Sequence, residues 1–162
     1  MKNFINMLKE YIPRIEDRLN EDVNIQELDK IEQMTGVKLP KYFRTLYIKY
    51  NGENNDPYTG LFLGFSFMNT EHILDTIKSF KEDDFSDMTS LSTGKVTDEK
   101  MCDRIMIPFA WDGSRGFFCL DMTPDTEGKI GQVIALDYDY NECTLLADDL
   151  DGFFEFVHKM LI

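Results

Sequence analysis

The densest run of chemically capable side chains in this 162-residue sequence is Asp137-Tyr138-Asp139-Tyr140-Asn141-Glu142. Asp137, Asp139 and Asn141 fall at the first, third and fifth positions of a calcium loop, with Asp148 at the twelfth. Calcium would also need a glycine at the sixth position, where Glu142 stands, and a helix leading into the loop, where the pattern gives a strand. The run therefore reads as an acidic, tyrosine-bearing turn between two strands, either a solvated hairpin or part of a contact surface. Tyrosine beside carboxylate suits a protein partner that brings arginine and lysine.

A second stretch, Ile107 to Asp121, holds the single tryptophan, Trp111, against the turn Asp112-Gly113 and close to Arg115. Aromatic and arginine side chains anchor protein interfaces more than other types do. Trp111, Asp112 and Arg115 thus join Asp137, Tyr138, Asp139, Tyr140, Glu142, Asp148 and Asp149 as candidate partner-binding residues. Ile107, Phe109, Phe117 and Cys119 alternate along the flanking strands and are expected to point inward together. That leaves Trp111 at the end of the sheet, either packed there or exposing an edge in a pocket.

Catalytic and metal chemistry find little support. His72 and His158 lie on separate predicted helices without HExxH spacing, and each reads as a surface or helix-end residue. Ser114 follows Gly113 in a turn between strands, not in a strand-to-helix elbow. Gly128 and Gly131 flank a hairpin turn and lack the third glycine of a dinucleotide loop. Cys102, Cys119 and Cys143 are odd in number with no CxxC pair, so free thiols are expected and neither a disulfide framework nor a zinc ribbon. We expect no catalytic residue, no metal and no cofactor.

Charge is the strongest compositional signal. The net charge is −13, and it is segregated: residues 1–52 carry nine basic against eight acidic side chains, residues 53–162 eight against 22. Such a field repels nucleic-acid phosphates and anionic lipid and attracts a basic protein. No run approaches the roughly 20 apolar residues of a membrane span, and the first residues carry charges where a secretory leader would be apolar. A cytoplasmic location is the expectation.

The elements that must position these residues follow from periodicity. Phe4, Leu8, Ile12, Ile15 and Leu19 recur at helical spacing, with Pro13 forcing a kink or a restart. Asn24 caps a second helix carrying Ile25, Leu28 and Ile31 and ended by Gly36; Pro40 opens a third with Phe43, Leu46, Tyr47 and Tyr50, stopped by Asn51-Gly52. The run 61–68 reads as a strand or strand pair broken at Gly64, followed by a helix behind Asn69 or Thr70. Residues 81–100 are expected to form an exposed loop, with or without a short helical turn. Four apolar runs from Arg104 to Ala147 then predict an antiparallel meander, and Asp148 is expected to cap a last helix with Leu150, Phe153, Phe154, Val157 and Leu161 inward. The sum is one domain over 1–162 of the α+β class, an antiparallel sheet with helices from the N-terminal part and the C-terminus packed around it.

Joint order then suggests a family. A helix ends in Gly36-x-x-Leu39-Pro40, the next in Asn51-Gly52; a strand carries Pro108 and Trp111 before Asp112-Gly113; Leu120-Asp121 closes its neighbour, and Gly131-Gln-Val-Ile134 leads to the acidic turn and the terminal helix. Over residues 24–160 this resembles the SUKH superfamily, which includes the Smi/Knr cell-wall regulator family and many bacterial immunity proteins. Arg115, where a small or polar turn residue is commoner, and the acidic insert after Phe80 depart from the pattern. The resemblance implies an α+β fold, no catalytic constellation and a role in protein binding. On it rests the expectation of an immunity-type protein that neutralises a cognate basic toxin, nucleases among the classes considered; the alternative is a non-catalytic regulatory scaffold of the cell-wall regulator type.

Overall fold

A computed structural model of the chain describes residues 4–21, 24–54, 60–84 and 87–161. The first apolar stripe is divided as Pro13 requires: α1 (Phe4–Leu8) stops, and a 3₁₀ turn, Ile15–Arg18, restarts after Arg14 adopts a left-handed φ of 57°. Asn24 caps α2 (Ile25–Thr35) by accepting the Gln26 N–H at 3.0 Å, and Gly36, at φ 74°, ends it. Pro40 precedes α3 (Lys41–Lys49), which buries Phe43, Leu46 and Tyr47.

Asn51-Gly52 then does more than stop α3. The Asn51 side chain accepts the Thr70 N–H at 2.8 Å at the start of α4 (Thr70–Glu82), and a Cβ on Gly52, at φ 76°, would lie 2.5 Å from the Asn69 nitrogen. Only glycine permits that approach. Glu53, 2 % exposed, accepts the N–H groups of Leu61 and Phe67 and so pins the following segment. Of the run 61–68 only β1 (Ser66–Phe67) is a strand; Phe62 and Phe65 bridge across a tight bend at Leu63-Gly64, both with positive φ.

The meander is present as β3 (Met106–Trp111), β4 (Gly116–Asp121), β5 (Gln132–Asp137) and β6 (Glu142–Ala147), all antiparallel. With β1 on one edge and a short β2 (Thr89–Ser90) on the other, the order is β1-β3-β4-β5-β6-β2, and β2 runs parallel to β6. Helix α5 (Leu150–Leu161) closes the chain, giving the expected α+β class with helices at both ends. No helix among the described residues is long and apolar enough to cross a membrane.

Both faces of the sheet are buried, and they differ. One carries Ile107, Phe109, Phe118, Leu120 and Val133 into a large cluster with α1, α2, α3, α5 and, through Ile73 and Ile77, α4. Its centre is aromatic: Phe62, Phe109, Phe153 and Phe154 lie edge-on or stacked at 5.4–6.0 Å. Each such ring, fully withdrawn from water, contributes roughly 1.5–3 kcal/mol. The opposite face carries Met106, Cys119, Ile134, Leu136 and Cys143, covered by Phe80 of α4 and by Met88, Val96 and Met101.

Two expectations are corrected here. Phe117 and Cys119 do not share a face with Ile107 and Phe109, because the register pairs Ile107 with Leu120 and Pro108 with Cys119, then skips a residue before Ala110. In a strand a one-residue difference in register moves a side chain to the other face. The described part of 81–100 is mostly exposed as expected, but it is not only a loop: Met88 and Val96 are each 1 % exposed, and Thr89–Ser90 form the edge strand, while residues 85–86 lie outside the described residues. This cover is tied down by Arg104, 4 % exposed, whose guanidinium donates to the carbonyls of Glu99 and Met88 and to the Cys143 sulfur. At the far end of the sheet Asp121 accepts from the Thr123 N–H and from Gln132 Nε2, which also reaches the Lys95 carbonyl at 2.8 Å. Burial raises the Asp121 pKa, with Gln132, Thr123 and Arg104 opposing. The Leu-Asp and Gly-Gln motifs thus serve architecture.

Candidate functional site

Two turns build one end of the sheet. In the β3–β4 turn, Asp112 Oδ1 accepts the N–H groups of Ser114 and Gly116 at 2.8 and 3.0 Å, Gly113 takes φ 87°, and Trp111 Nε1 donates to the Ser114 carbonyl at 3.0 Å. In the β5–β6 turn, Asp137 Oδ1 accepts from the Asp139 and Tyr140 N–H groups at 2.9 and 3.3 Å. Short polar side chains that satisfy their own backbone in this way fix a turn. The carboxylates of Asp112 and Asp137 are therefore engaged in shaping the turns.

Because Gly116 pairs with Asp137, the turns lie side by side, and they are laced together. Tyr138 N–H donates to the Arg115 carbonyl at 3.1 Å, and Arg115 Nη2 donates to the Tyr138 carbonyl at 3.4 Å. The Arg115 guanidinium also faces the Tyr138 ring, 5.9 Å from its centroid, and pairs through Nε with Asp139 Oδ1 at 3.1 Å. Both charged side chains are about 60 % exposed, so this pair holds weakly. Tyr140 projects from the tip, 74 % exposed.

Helix α4 forms the third wall. Asn69 caps it through the His72 N–H at 2.8 Å, and the His72 ring stands perpendicular to the Trp111 indole with centroids 5.0 Å apart. Below His72 the helix presents Asp75, Thr76, Ser79, Phe80 and Asp83 toward Ser114, Arg115, Phe117 and Tyr138, around a cleft of about 640 Å³. Phe80, Phe117 and Tyr138 contact one another at 5.5–6.5 Å and make it partly aromatic. The same three side chains border the sulfur-rich face of the sheet.

Electrostatics give the cleft its sign. Burial lowers the His72 pKa below the usual histidine value, with Asp75 opposing, so the imidazole is neutral at neutral pH. Burial, and then the Asp83 charge, raises the Tyr138 phenol well above its ordinary range, so it keeps its proton. Among the described lining residues the remaining charged groups are Asp75, Asp83 and Arg115, and Arg115 is paired with Asp139 beside the cleft. Among the described residues neither Ser79 nor Ser114 is hydrogen-bonded to His72 through its side chain, and no group of three or more His, Cys, Asp or Glu is placed to hold a metal.

The candidate residues from the sequence divide accordingly. Trp111, Asp112, Arg115, Asp137, Tyr138, Asp139 and Tyr140 share this end, and Glu142 begins β6 there, opposite Asp137. Asp148 and Asp149 do not, since a six-residue strand carries the chain to the other end of the sheet before them. Asp148 pairs with Lys129 at 3.0 Å. Asp149, not Asp148, caps α5, accepting the Gly152 N–H at 2.7 Å. Sequence reasoning missed His72, Asp75, Phe80 and Asp83. The signal for His72 and Asp83 was legible as a polar stripe, His72-Thr76-Ser79-Asp83, at helical spacing behind the Asn69 cap.

A second, more apolar groove of about 750 Å³ lies between α1 and α5, lined by Phe4, Met7, Tyr42, Phe154 and His158, and contains none of the candidate partner-binding residues. Tyr11 Oη and His158 Nε2 meet at 3.2 Å beside it.

The sequence model described as the SMI1 / KNR4 family (SUKH-1) matches residues 22–155 of the chain. No curated protein matches it.

Proposed function

The chain belongs to the SMI1/KNR4 family (SUKH-1), and from that premise we propose that it is a non-catalytic, immunity-type binding protein of the cytoplasm, which neutralises a cognate basic toxin by covering it. The observation that carries this reading is the convergence of both turns and α4 on one cleft, in the part of the chain where 22 acidic side chains face eight basic ones. The features there suit recognition of protein: an exposed tyrosine at the tip, a half-buried tryptophan braced by histidine, and carboxylates at the rim. Complementary charge of this kind raises the association rate and rejects wrong partners. The same field disfavours phosphate-bearing partners.

Co-expression with toxins encoded beside its gene, scored by growth, tests the reading. One of them should be neutralised, through a complex that weakens as salt is raised and fails when Asp75 and Asp139 are both changed to lysine. A complex indifferent to salt and to that double reversal would overturn the acidic docking face. Assembly with envelope enzymes and no toxin rescue would mark a regulatory scaffold instead.

A further inference from the structure

We infer that the cleft between α4 and the two turns receives one long cationic side chain, arginine or lysine, from the protein partner, and that Arg115 is an internal cation which this side chain displaces. The inference rests on the reading above that the partner is basic, and it adds where the contact is made and which residue limits it.

The chain's own contacts show the chemistry. Arg115 already uses one aromatic ring and one carboxylate, Tyr138 and Asp139, but from the rim: its guanidinium is 5.9 Å from the ring centroid, near the limit of a useful cation–π contact, and its side chain is 60 % exposed. Along the same cleft Asp75 and Asp83 stand with Phe80, Phe117 and Tyr138 around about 640 Å³. That volume lies within the range of ordinary ligand sites and exceeds what one side chain fills. An inserted arginine or lysine would lay its methylene stem on Phe80 and Phe117 and bring its charge to the α4 carboxylates. His72 is neutral at neutral pH and adds no opposing charge. An anionic group would meet two carboxylates, Asp75 and Asp83, and one cation, Arg115, that is already paired with Asp139, so charge complementarity favours a cationic occupant. Arg115 competes with such a side chain for Tyr138 and Asp139. Its removal should therefore strengthen binding, where an interface anchor would weaken it.

Nuclear magnetic resonance titration of the whole, isotope-labelled chain with a capped tri-arginine peptide at low salt is the test, with tri-glutamate as control. Trp111 supplies the only indole N–H signal, beside His72 at the mouth of the cleft. The expected result is shifts concentrated at Trp111, α4 and Tyr138-Asp139 with tri-arginine and none with tri-glutamate. Arg115→Ala should tighten binding about two- to fivefold, the scale of one exposed ion pair, and Asp75→Lys should abolish the shifts. Thermal melts of both variants should match the parent, since both side chains are exposed. Shifts spread over other acidic surfaces, or an Arg115→Ala chain that binds no better, would overturn the inference and leave the basic-partner reading standing. No shifts at all, with a toxin still neutralised on co-expression, would overturn the cleft alone; no shifts and no neutralised toxin would overturn both.

Discussion

The two faces of the sheet are buried by different means, and the difference explains where the binding cleft lies. One face rests on five helices, α4 through Ile73 and Ile77, around a cluster of aromatic rings with Phe109 and Phe153 fully buried. The other is covered by the end of α4 and by a segment from Met88 to Met101, through methionine, cysteine and valine side chains, and is held by the buried Arg104. Rings with two torsions lock a core, whereas methionine adapts to the space it is given. The border of this thinner cover, Phe80, Phe117 and Tyr138, is the aromatic part of the cleft. Recognition is thus placed at the margin of the adaptable layer, with the rigid layer behind it.

The largest test of this contrast compares truncations on the two faces. Phe153→Ala removes a ring that touches Phe62, Phe109, Phe118 and Phe154, and should cost about 3–5 kcal/mol by denaturant unfolding. Met101→Ala, equally buried, should cost nearer the lower end of the ~2–5 kcal/mol range, because its flexible neighbours can collapse into the space. Equal losses would break the distinction between a locked and an adaptable face.

A smaller effect separates two neighbouring carboxylates at the far end of the sheet. Asp149→Ala should lower stability by about 1 kcal/mol through loss of the α5 cap, whereas Asp148→Ala, which removes only an exposed pair with Lys129, should leave the unfolding midpoint unchanged. The reverse order would return the capping role to Asp148.

The smallest effect concerns the cleft mouth. His72 has a folded-state pKa below the ordinary value, so the unfolded chain binds its proton more tightly. Stability from this group is complete above the ordinary histidine pKa and declines as pH falls through the window beneath it. Asp75 opposes the shift on the same helix, and the Arg115 side chain lines the same cleft. Unfolding midpoints of the parent and of His72→Gln should therefore diverge, the parent losing more, between neutral pH and mildly acidic pH. Parallel curves would mean that His72 is solvated and that the mouth is more open than its contact with Trp111 indicates.

What was readable without coordinates was mostly local. Asn24 and Asn69 as caps, Gly36 as a left-handed stop, Pro13 as an interruption and Asn51-Gly52 as a terminator are all short-range statements, and each has its structural counterpart. The pairing of Arg115 with the acidic turn was partly readable, since residues of two adjacent hairpin turns meet at one sheet end. The misplaced residues share one cause: their position depends on register or on strand length. Phe117 and Cys119 lie on the other face because Ile107 pairs with Leu120 and Pro108 with Cys119, and Asp148 and Asp149 were carried away from Asp137 by the length of β6.

The sequence by itself determined the element types, the α+β class, the family and the sign of the electrostatic field, because periodicity, capping and net charge are properties of neighbouring residues or of simple sums. Only the tertiary structure decided which side of the sheet each strand residue serves, that the stretch after α4 covers a second core, and that α4 closes a cleft over Tyr138. Those outcomes require residues from 13 to more than fifty positions apart to meet, and that meeting is set by strand register and by the burial of both sheet faces, which no local pattern encodes.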